Sequence, residues 1–333
     1  MEQTIEGTSG GPAGGRPRVV VGVDGSAGSR ACLVQAFLEA AGRGADLEVV
    51  TSYTLQLSWF GGAPLDVPDV ASVRDDAESR ARAQLDEVRG ELAVSAVPGM
   101  RDVGVDVVVE EGHAAHVLVE RARGAELLVV GNRGRGAARS ALLGSVALHC
   151  ATHAPCPVLV AHSDTVALSD PPRVVVGVDG SDAARAALAT AIEEAASRGA
   201  DLDALVSYRV EDYWTDLGSV VVPTLEQIRT ELYRRTEGML TSVLDRRTPG
   251  DPVPQVRIVV AEGAAGDLLV NHGRAADLLV VGSRGHGAFR ALLLGSVALH
   301  CAMHAPCSVL VVRPQENRVA SGSSAPEPAL ADR

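Results

Sequence analysis

The chain has 333 residues, 46% apolar and 22% charged, which is typical of soluble globular proteins and long enough for two ordinary domains. A formal net charge of −12 argues against nucleic acid or an anionic membrane as a partner, and 3% aromatic residues are too few for base-stacking surfaces. The sequence contains no lysine, which excludes a phosphate-loop lysine and Schiff-base chemistry.

We expect a cytoplasmic protein. Residues 1–17 lack the basic and apolar regions of a signal peptide. No stretch approaches the roughly 20 uncharged apolar residues that a membrane helix needs. The five cysteines, an odd number, indicate free thiols in a reducing compartment.

The chain contains one sequence unit twice. RVVVGVDGS at residues 18–26 returns unchanged at residues 173–181, an offset of 155. The longer segment at residues 127–160, which begins LLVVG and ends VLV, returns with few changes at residues 278–311, an offset of 151. The difference between the offsets places a four-residue insertion or deletion in the middle of the unit. A period near 150 is far longer than a solenoid repeat and indicates a duplicated domain.

We therefore predict two domains, residues 17–162 (domain 1) and residues 173–313 (domain 2). The join at residues 163–172 is rich in Ser, Asp and Pro and is expected to be a linker. The tails, residues 1–16 and 314–333, are poor in large apolar residues and are expected to be disordered.

Short Val-rich runs alternate with helical patterns in each unit. In the first unit, five runs lie at residues 19–23, 47–50, 103–109, 127–130 and 158–160. The runs are mostly continuous, as expected for parallel strands that are covered on both faces. An apolar helical face lies between the first two runs, formed by Leu33, Ala36, Phe37 and Ala40. We predict an α/β protein of two tandem doubly wound domains, each with five parallel strands in the order 3-2-1-4-5 flanked by helices.

An Asp-Gly-Ser sequence follows the first strand of each unit. Asp24 and Ser26 occur in domain 1, and Asp179 and Ser181 occupy the same places in domain 2. Ligands of such sheets bind at the carboxyl ends of the strands, where an acidic group can accept hydrogen bonds from a base or ribose. The serine can cap the following helix. The alternative is that both residues only shape the turn.

A glycine pattern, G-x2-G-x9-G-S, follows the fourth strand of each unit. We expect its first two glycines to adopt positive φ, to expose N–H groups and to let a ligand approach closely. The closing Gly-Ser begins a helix whose N–H groups and dipole favour an anion. The pattern comprises Gly131, Gly134, Gly144 and Ser145 in domain 1, and Gly282, Gly285, Gly295 and Ser296 in domain 2.

Arginine is the cation that this loop offers to phosphates. Arg133 lies within the pattern and Arg284 matches it in domain 2, while Arg135 and Arg139 lie nearby. The alternative is that the glycines merely form turns. The complete pattern, present twice after apolar strands, favours a phosphate-binding loop.

These motifs resemble the universal stress protein family, across residues 17–162 and 172–313. The resemblance rests on V-x-V-D-G-S after the first strand, on G-x2-G-x9-G-S after the fourth, and on the closing HAPCPVLV and HAPCSVLV. It implies ATP or another adenine nucleotide, with Asp24 and Asp179 near the adenine and ribose. It also implies that the glycines and serines of both glycine patterns hold ribose and phosphates.

The resemblance further implies that backbone atoms near Ser52 and Ser207, after the second strand of each unit, contact adenine. The two loops are not identical. Asn132, Arg135 and Ala138 of domain 1 become Ser283, His286 and Phe289 in domain 2. These differences predict unequal affinities of the two sites.

Two further patterns have structural alternatives. Cys150-x2-His153-x2-Cys156 and its copy, from Cys301 to Cys307, suggest a metal site, but we favour buried thiols because a proline separates a helix from a strand entrance. His113 and His116 have no counterparts in domain 2, and we expect them to be solvated or capping residues.

The only tryptophans, Trp59 and Trp214, both follow the second strand of their unit. They lie at the ligand end of the sheet, where they can flank the base or form a lid. The alternative, which we favour, is packing within the loop or at the interface of the domains.

The sequence thus predicts a regulatory stress-response protein that binds one ATP per domain, has no catalytic residues, and changes its conformation or its binding of an unidentified protein with occupancy. We expect Mg²⁺ or Mn²⁺ to bridge the phosphates, with little hydrolysis and no metal site of the protein's own. The alternatives are a slow ATPase or a phosphoryl or nucleotidyl transferase, and a scaffold that has lost nucleotide binding. The absence of a Walker A loop and of a compact Asp/His set disfavours the enzymes.

The last strand of each unit is apolar and is expected at a sheet edge. Exposed apolar edges invite pairing, so we predict that residues 158–160 and 309–312 pair across a pseudo-two-fold axis. One chain would then resemble a homodimer. Association of two chains into a further homodimer is compatible with the sequence but not required by it.

Overall fold

The structure is a computed structural model that describes residues 16–55, 59–60, 63–64, 69–94, 99–134, 143–162, 171–213, 224–285 and 293–314. Domain 1 consists, in chain order, of β1 (Arg18–Gly22), α1 (Ala27–Arg43), β2 (Asp46–Tyr53), β3 (Trp59–Phe60), β4 (Ala63–Pro64), α2 (Val70–Val94), β5 (Val105–Glu111), α3 (Ala114–Arg121), β6 (Leu127–Gly131), α4 (Ser145–His153) and β7 (Val158–Ala161). The short pair β3 and β4 was not predicted from the sequence.

Domain 2 repeats this order without the short pair among its described residues. Its elements are β8 (Arg173–Gly177), α5 (Asp182–Arg198), β9 (Asp201–Tyr208), α6 (Leu225–Leu244), β10 (Val256–Glu262), α7 (Ala265–His272), β11 (Leu278–Gly282), α8 (Ser296–His304) and β12 (Ser308–Val312). Short 3-10 turns lie at Met100–Asp102, Val210–Tyr213 and Gly273–Ala275.

Ten strands form one sheet, in the order β10-β9-β8-β11-β12-β7-β6-β1-β2-β5. Within each domain all neighbouring strands are parallel. When the five sheet strands of a domain are numbered along the chain, leaving out the short pair, their order in the sheet is 3-2-1-4-5, so the predicted fold is confirmed. The central strands are buried on both faces because helices cover both sides, which explains their continuous apolar runs.

The last strands of the two domains join the two halves of the sheet. β12 and β7 pair antiparallel, with Leu310 opposite Leu159 at the centre. Both leucines are buried within one apolar cluster that also contains core residues of both domains. The edges that would otherwise be open are therefore satisfied within the chain.

The first helix of each domain begins and ends in the same way. The Ser26 hydroxyl accepts a 3.1 Å hydrogen bond from the Ser29 amide, and the Ser181 hydroxyl accepts one of the same length from Ala184. Gly44 ends α1 in the left-handed conformation, with φ of 59°, where glycine carries no side-chain strain. These caps fix where each helix leaves the ligand end of the sheet.

Four charged side chains meet where α1 and α5 approach each other, and we call them the ion quartet. Glu39 and Arg43 come from α1, and Glu194 and Arg198 occupy the matching positions of α5. Each arginine pairs with the glutamate of its own helix and with that of the other domain. Both glutamates are buried, so the quartet satisfies charges that the domain contact removes from water.

Among the described residues, no helix combines the length and the apolar character that crossing a bilayer requires.

Candidate functional site

A cavity of about 570 Å³ opens at the carboxyl ends of β1, β2 and β6 in domain 1. β1 lies between β2 and β6 in the sheet, and the chain direction of the crossovers reverses there. Such a switch point leaves a crevice between the loops, which is where doubly wound sheets bind ligands. We distinguish two ends of the cavity by the strands that lie beside them. The loop end lies beside β6, and the β2 end lies beside β2, α2 and α3.

Motif residues line the loop end of this cavity. Asp24, after β1, meets the glycine loop there. Residues from both ends of the glycine pattern are also present, although nine residues of sequence separate the second glycine from the third. These lining residues are Gly131, Arg133, Gly134, Gly144 and Ser145. The structure therefore brings the sequence-predicted residues of domain 1 together, with Ser52 at the β2 end.

The Asp-Gly-Ser turn uses its two polar residues differently. The Asp24 carboxylate accepts a 2.9 Å hydrogen bond from the Ser26 amide, and Asp179 does the same for Ser181. Gly25 has φ of 76°, so this turn requires glycine. Asp24 both shapes the turn and faces the cavity, whereas the Ser26 hydroxyl acts as the helix cap. Ser26 and Ser181, which the sequence predicts among the nucleotide-binding residues, are thus helix caps in both domains.

The expected positive φ of the glycine pattern is wrong. None of its six glycines has positive φ. Space explains these glycines instead: a Cβ on Gly134 would lie 2.9 Å from Asp24 Oδ2, and a Cβ on Gly131 would lie 3.2 Å from the Arg133 carbonyl. The matching Gly285 lies as tightly against Asp179. Glycine lets the loop pack against the turn after β1.

The last helix of each domain begins against the glycine loop. The Gly144 amide donates a 2.8 Å hydrogen bond to the Asn132 carbonyl, and Gly295 donates a 2.7 Å bond to Ser283. Gly144 offers no side-chain cap, so the first N–H groups of α4 depend on other acceptors. Ser145 and the next two residues line the cavity. The arrangement suits an anion, which these N–H groups and the helix dipole would stabilise.

The β2 end of the cavity is made by residues that the sequence analysis missed. Thr51 extends the wall beside Ser52, while Ala77, Arg80 and Ala81 come from α2. The sequence alone predicts a solvated helix face for residues 74–89 of α2, which are rich in Arg and acidic side chains. The small buried alanines at every fourth position were the available signal, because a helix next to a cavity needs small side chains there.

Comparisons with known proteins identify the family of this chain. The model of the universal stress protein family matches residues 15–162 and 172–313. The chain belongs to the universal stress protein family. A universal stress protein of Mycolicibacterium smegmatis is 32% identical over 305 residues, which cover 89% of this chain and 97% of that one. One of Mycobacterium tuberculosis is 34% identical over 303 residues, which cover 89% and 96%.

A solved universal stress protein from Archaeoglobus fulgidus has the same fold. Its TM-score is 0.61 at 18% identity, with 89% of this chain and 98% of that chain covered. The tandem arrangement of two such domains is thus supported by both sequence and structure.

The cysteines of the family's closing segments are buried thiols, as the sequence analysis favoured. Cys150, Cys156, Cys301 and Cys307 are free and buried. Burial raises the pKa of Cys150 to about 12 and that of Cys156 to about 11. Such thiols are poor nucleophiles and poor metal ligands at neutral pH. Within the described ranges, no group of three or more His, Cys, Asp or Glu side chains is arranged to hold a metal ion.

His113 and His116 are exposed, as expected, and they begin a row of four rings across α3 and α4. The His116 and His149 ring centroids lie 5.0 Å apart, and the His149 and His153 rings stack at 4.2 Å. In domain 2, His300 and His304 stack in the same way, but Asp267 replaces the α3 histidine and pairs with His300 at 3.2 Å. This ring contact was missed because it joins two helices.

Several predicted residues lie outside the described residues. These are Arg135, Arg139, His286, Phe289 and Trp214. Trp59 belongs to β3, and its side chain is also outside the description. Arg284 and Ser207 occupy the places in domain 2 that match Arg133 and Ser52, at the carboxyl ends of β11 and β9.

Proposed function

We propose that this chain is a stress-response regulatory protein that binds an adenine nucleotide in the cavity of domain 1. The cavity carries this proposal, because residues from three separate motifs line one space at the switch point of the sheet. Occupancy would join the glycine loop, the turn after β1 and the start of α4, and could thereby change the surface that a protein partner meets.

Each part of a nucleotide has suitable groups in the cavity. At the loop end, the N–H groups of α4 and the Arg133 guanidinium suit phosphates. Asp24 is an acceptor for ribose hydroxyls or base N–H groups. The β2 end combines apolar side chains with the backbone of Thr51 and Ser52, which suits a flat purine. We expect Mg²⁺ or Mn²⁺ to arrive with the phosphates, since the described lining contains only Arg80 and Arg133 as cations.

Replacing Gly144 and Gly295 by valine tests this function. A Cβ on either glycine lies 3.4 Å from the nearest loop atom, which is ordinary van der Waals contact, and both glycines have negative φ. A branched side chain would occupy the space that phosphates need. We expect the Gly144→Val/Gly295→Val variant to bind no ATP in calorimetry while its circular dichroism stays unchanged.

Gly90→Val is the matched control, because a Cβ on this helix glycine meets nothing within 4 Å. The control should bind ATP as the wild type does. Undiminished ATP binding by the double variant would contradict the assigned site.

A further inference from the structure

The helices beside the two ligand ends can be matched residue for residue. Arg30 of α1 bonds Glu87 of α2 at 3.1 Å, and Arg185 of α5 bonds Ser242 of α6 at 3.4 Å. Arg185 and Ser242 each lie 155 positions after their counterparts in domain 1. The α2 residues that line the cavity of domain 1 therefore have defined counterparts on α6.

The α6 counterparts are larger than the α2 residues. Leu232 stands where Ala77 lines the cavity, and Thr236 stands where Ala81 does. Thr236 is buried, and its hydroxyl donates to the Leu232 carbonyl at 2.8 Å, so it offers no free donor to a ligand. Leu232 packs against the apolar core of domain 2. Together, Leu232 and Thr236 have five more side-chain heavy atoms than Ala77 and Ala81.

The residues of α7 and β9 at the matching positions are also larger than those of α3 and β2. Val117 of α3 corresponds to Leu268 of α7, and Val50 of β2 corresponds to Leu205 of β9. All of these changes lie at the β2 end of the cavity, or at the matching β9 end in domain 2. The loop end, by contrast, keeps every glycine and the serine of its pattern.

Resting on the proposed function, we infer that Leu232 and Thr236 exclude the adenosine part of a nucleotide from domain 2. The chain would then bind one adenine nucleotide, in domain 1, rather than one in each domain. The reason is steric, because a close-packed wall does not yield five heavy atoms of space without a large cost. Leu232 and Thr236 are thus selectivity residues, and the retained glycine loop of domain 2 is left with space for small anions alone.

The stoichiometry of ATP binding to the full chain is the first test. Calorimetry should give about one ATP per wild-type chain, and the single Gly144→Val change should remove all of it. Two ATP per chain would overturn this inference but leave the proposed function standing. No binding by the wild type would overturn both.

Exchanging the wall residues between the domains is the second test. Leu232→Ala/Thr236→Ala should raise the stoichiometry to about two, and Ala77→Leu/Ala81→Thr should weaken ATP binding at least tenfold. Circular dichroism and thermal unfolding check that each variant folds, and each exchange is informative without the other. The assignment of these residues would be wrong in either of two cases. In the first, Leu232→Ala/Thr236→Ala folds but still binds one ATP. In the second, Ala77→Leu/Ala81→Thr binds ATP normally.

Discussion

The two domains keep identical residues in the strands that precede the motifs, and differ at the β2 end of the cavity and on helix surfaces. β1 and β8 share the sequence RVVVG, and β6 and β11 share LLVVG. The helix caps, the glycine loops and the ion quartet are also repeated. The α2 and α6 walls and the α3 and α7 surfaces are not.

This pattern of differences indicates what each region does. Buried strands accept few changes because neighbouring side chains interlock, whereas a cavity wall can change if its ligand changes. Substitutions in shared features should affect both domains equally, and substitutions in the diverged features should act in one domain only. Three experiments test this comparison, beginning with the largest expected effect.

The strand pair between the domains gives the first prediction. Leu159→Asp places a carboxylate in the buried strand contact opposite Leu310, within an apolar cluster. Burial of an unpaired charge should cost more than about 4 kcal/mol of unfolding free energy. We expect much faster proteolytic cleavage within residues 163–172 and a lower unfolding midpoint in urea.

The symmetry of the pair supplies a matched variant, because Leu310→Asp should have an equal effect. Leu225→Asp is the control: Leu225 is half exposed at the start of α6, where an acidic residue suits the helix dipole. Wild-type cleavage and stability in Leu159→Asp would show that the strand pair does not hold the domains together.

The ion quartet gives the second prediction. Burial alone would raise the pKa of Glu39, but Arg198 and Arg43 outweigh it and lower the pKa below its ordinary value. Arg43→Met and Arg198→Met should each cost on the order of 3 kcal/mol, because each leaves both buried glutamates with one partner fewer. The two losses should be equal if the quartet is symmetric, as measured by urea unfolding.

The pH dependence of this loss follows from the lowered pKa. The stabilisation by ionised Glu39 is complete above its ordinary pKa and disappears as the pH falls through the lower, folded value. The difference between wild type and Arg198→Met should therefore shrink in acid. Arg82→Met removes an exposed pair with Glu78 and should cost less than about 0.5 kcal/mol. A loss in Arg198→Met no larger than this would refute the role of the quartet.

The sequence predicted the strands and their order well. The duplicated unit indicates that both domains share one fold, and continuous apolar runs separated by helical patterns are compatible with few sheet topologies. The sequence could not predict the ion quartet. Glu39 and Arg43 are spaced like an ordinary surface pair on a helix, whereas the structure buries Glu39 and pairs both residues with α5 of the other domain. That contact joins residues 151 and 159 positions apart, which no local pattern reveals.

The candidate site was predicted in part, for a related reason. The glycines were found because their spacing is distinctive, but their conformation was wrong, since a sequence does not tell a glycine that provides space from one that provides positive φ. Ala77 and Ala81 were missed because alanine is common on helices. The larger Leu232 and Thr236 at the matching positions of α6 add to the signal that the alanine spacing gives.

The histidine row gives the last and smallest prediction. Burial, His153 and His116 all lower the pKa of His149. The unfolded chain therefore takes up a proton at higher pH than the folded chain. The stabilisation by neutral His149 is complete above the ordinary histidine pKa and is lost as the pH falls through the lower pKa of the folded state. We expect the wild type to lose a few tenths of a kcal/mol between pH 7.5 and 5.5 from this contact, because solvent screens these rings.

Domain 2 shows how to reverse this effect. There the Asp267 carboxylate lies 3.2 Å from His300, so a hydrogen-bond acceptor stands where domain 1 places a second imidazole. His116→Asp copies that arrangement into domain 1 and should reduce the acid-induced fall in the thermal midpoint, whereas Asp267→His should increase it. Comparing each variant with wild type at both pH values cancels the titration of other groups. Equal shifts in all three proteins would mean that the histidine row does not couple α3 to α4 electrostatically.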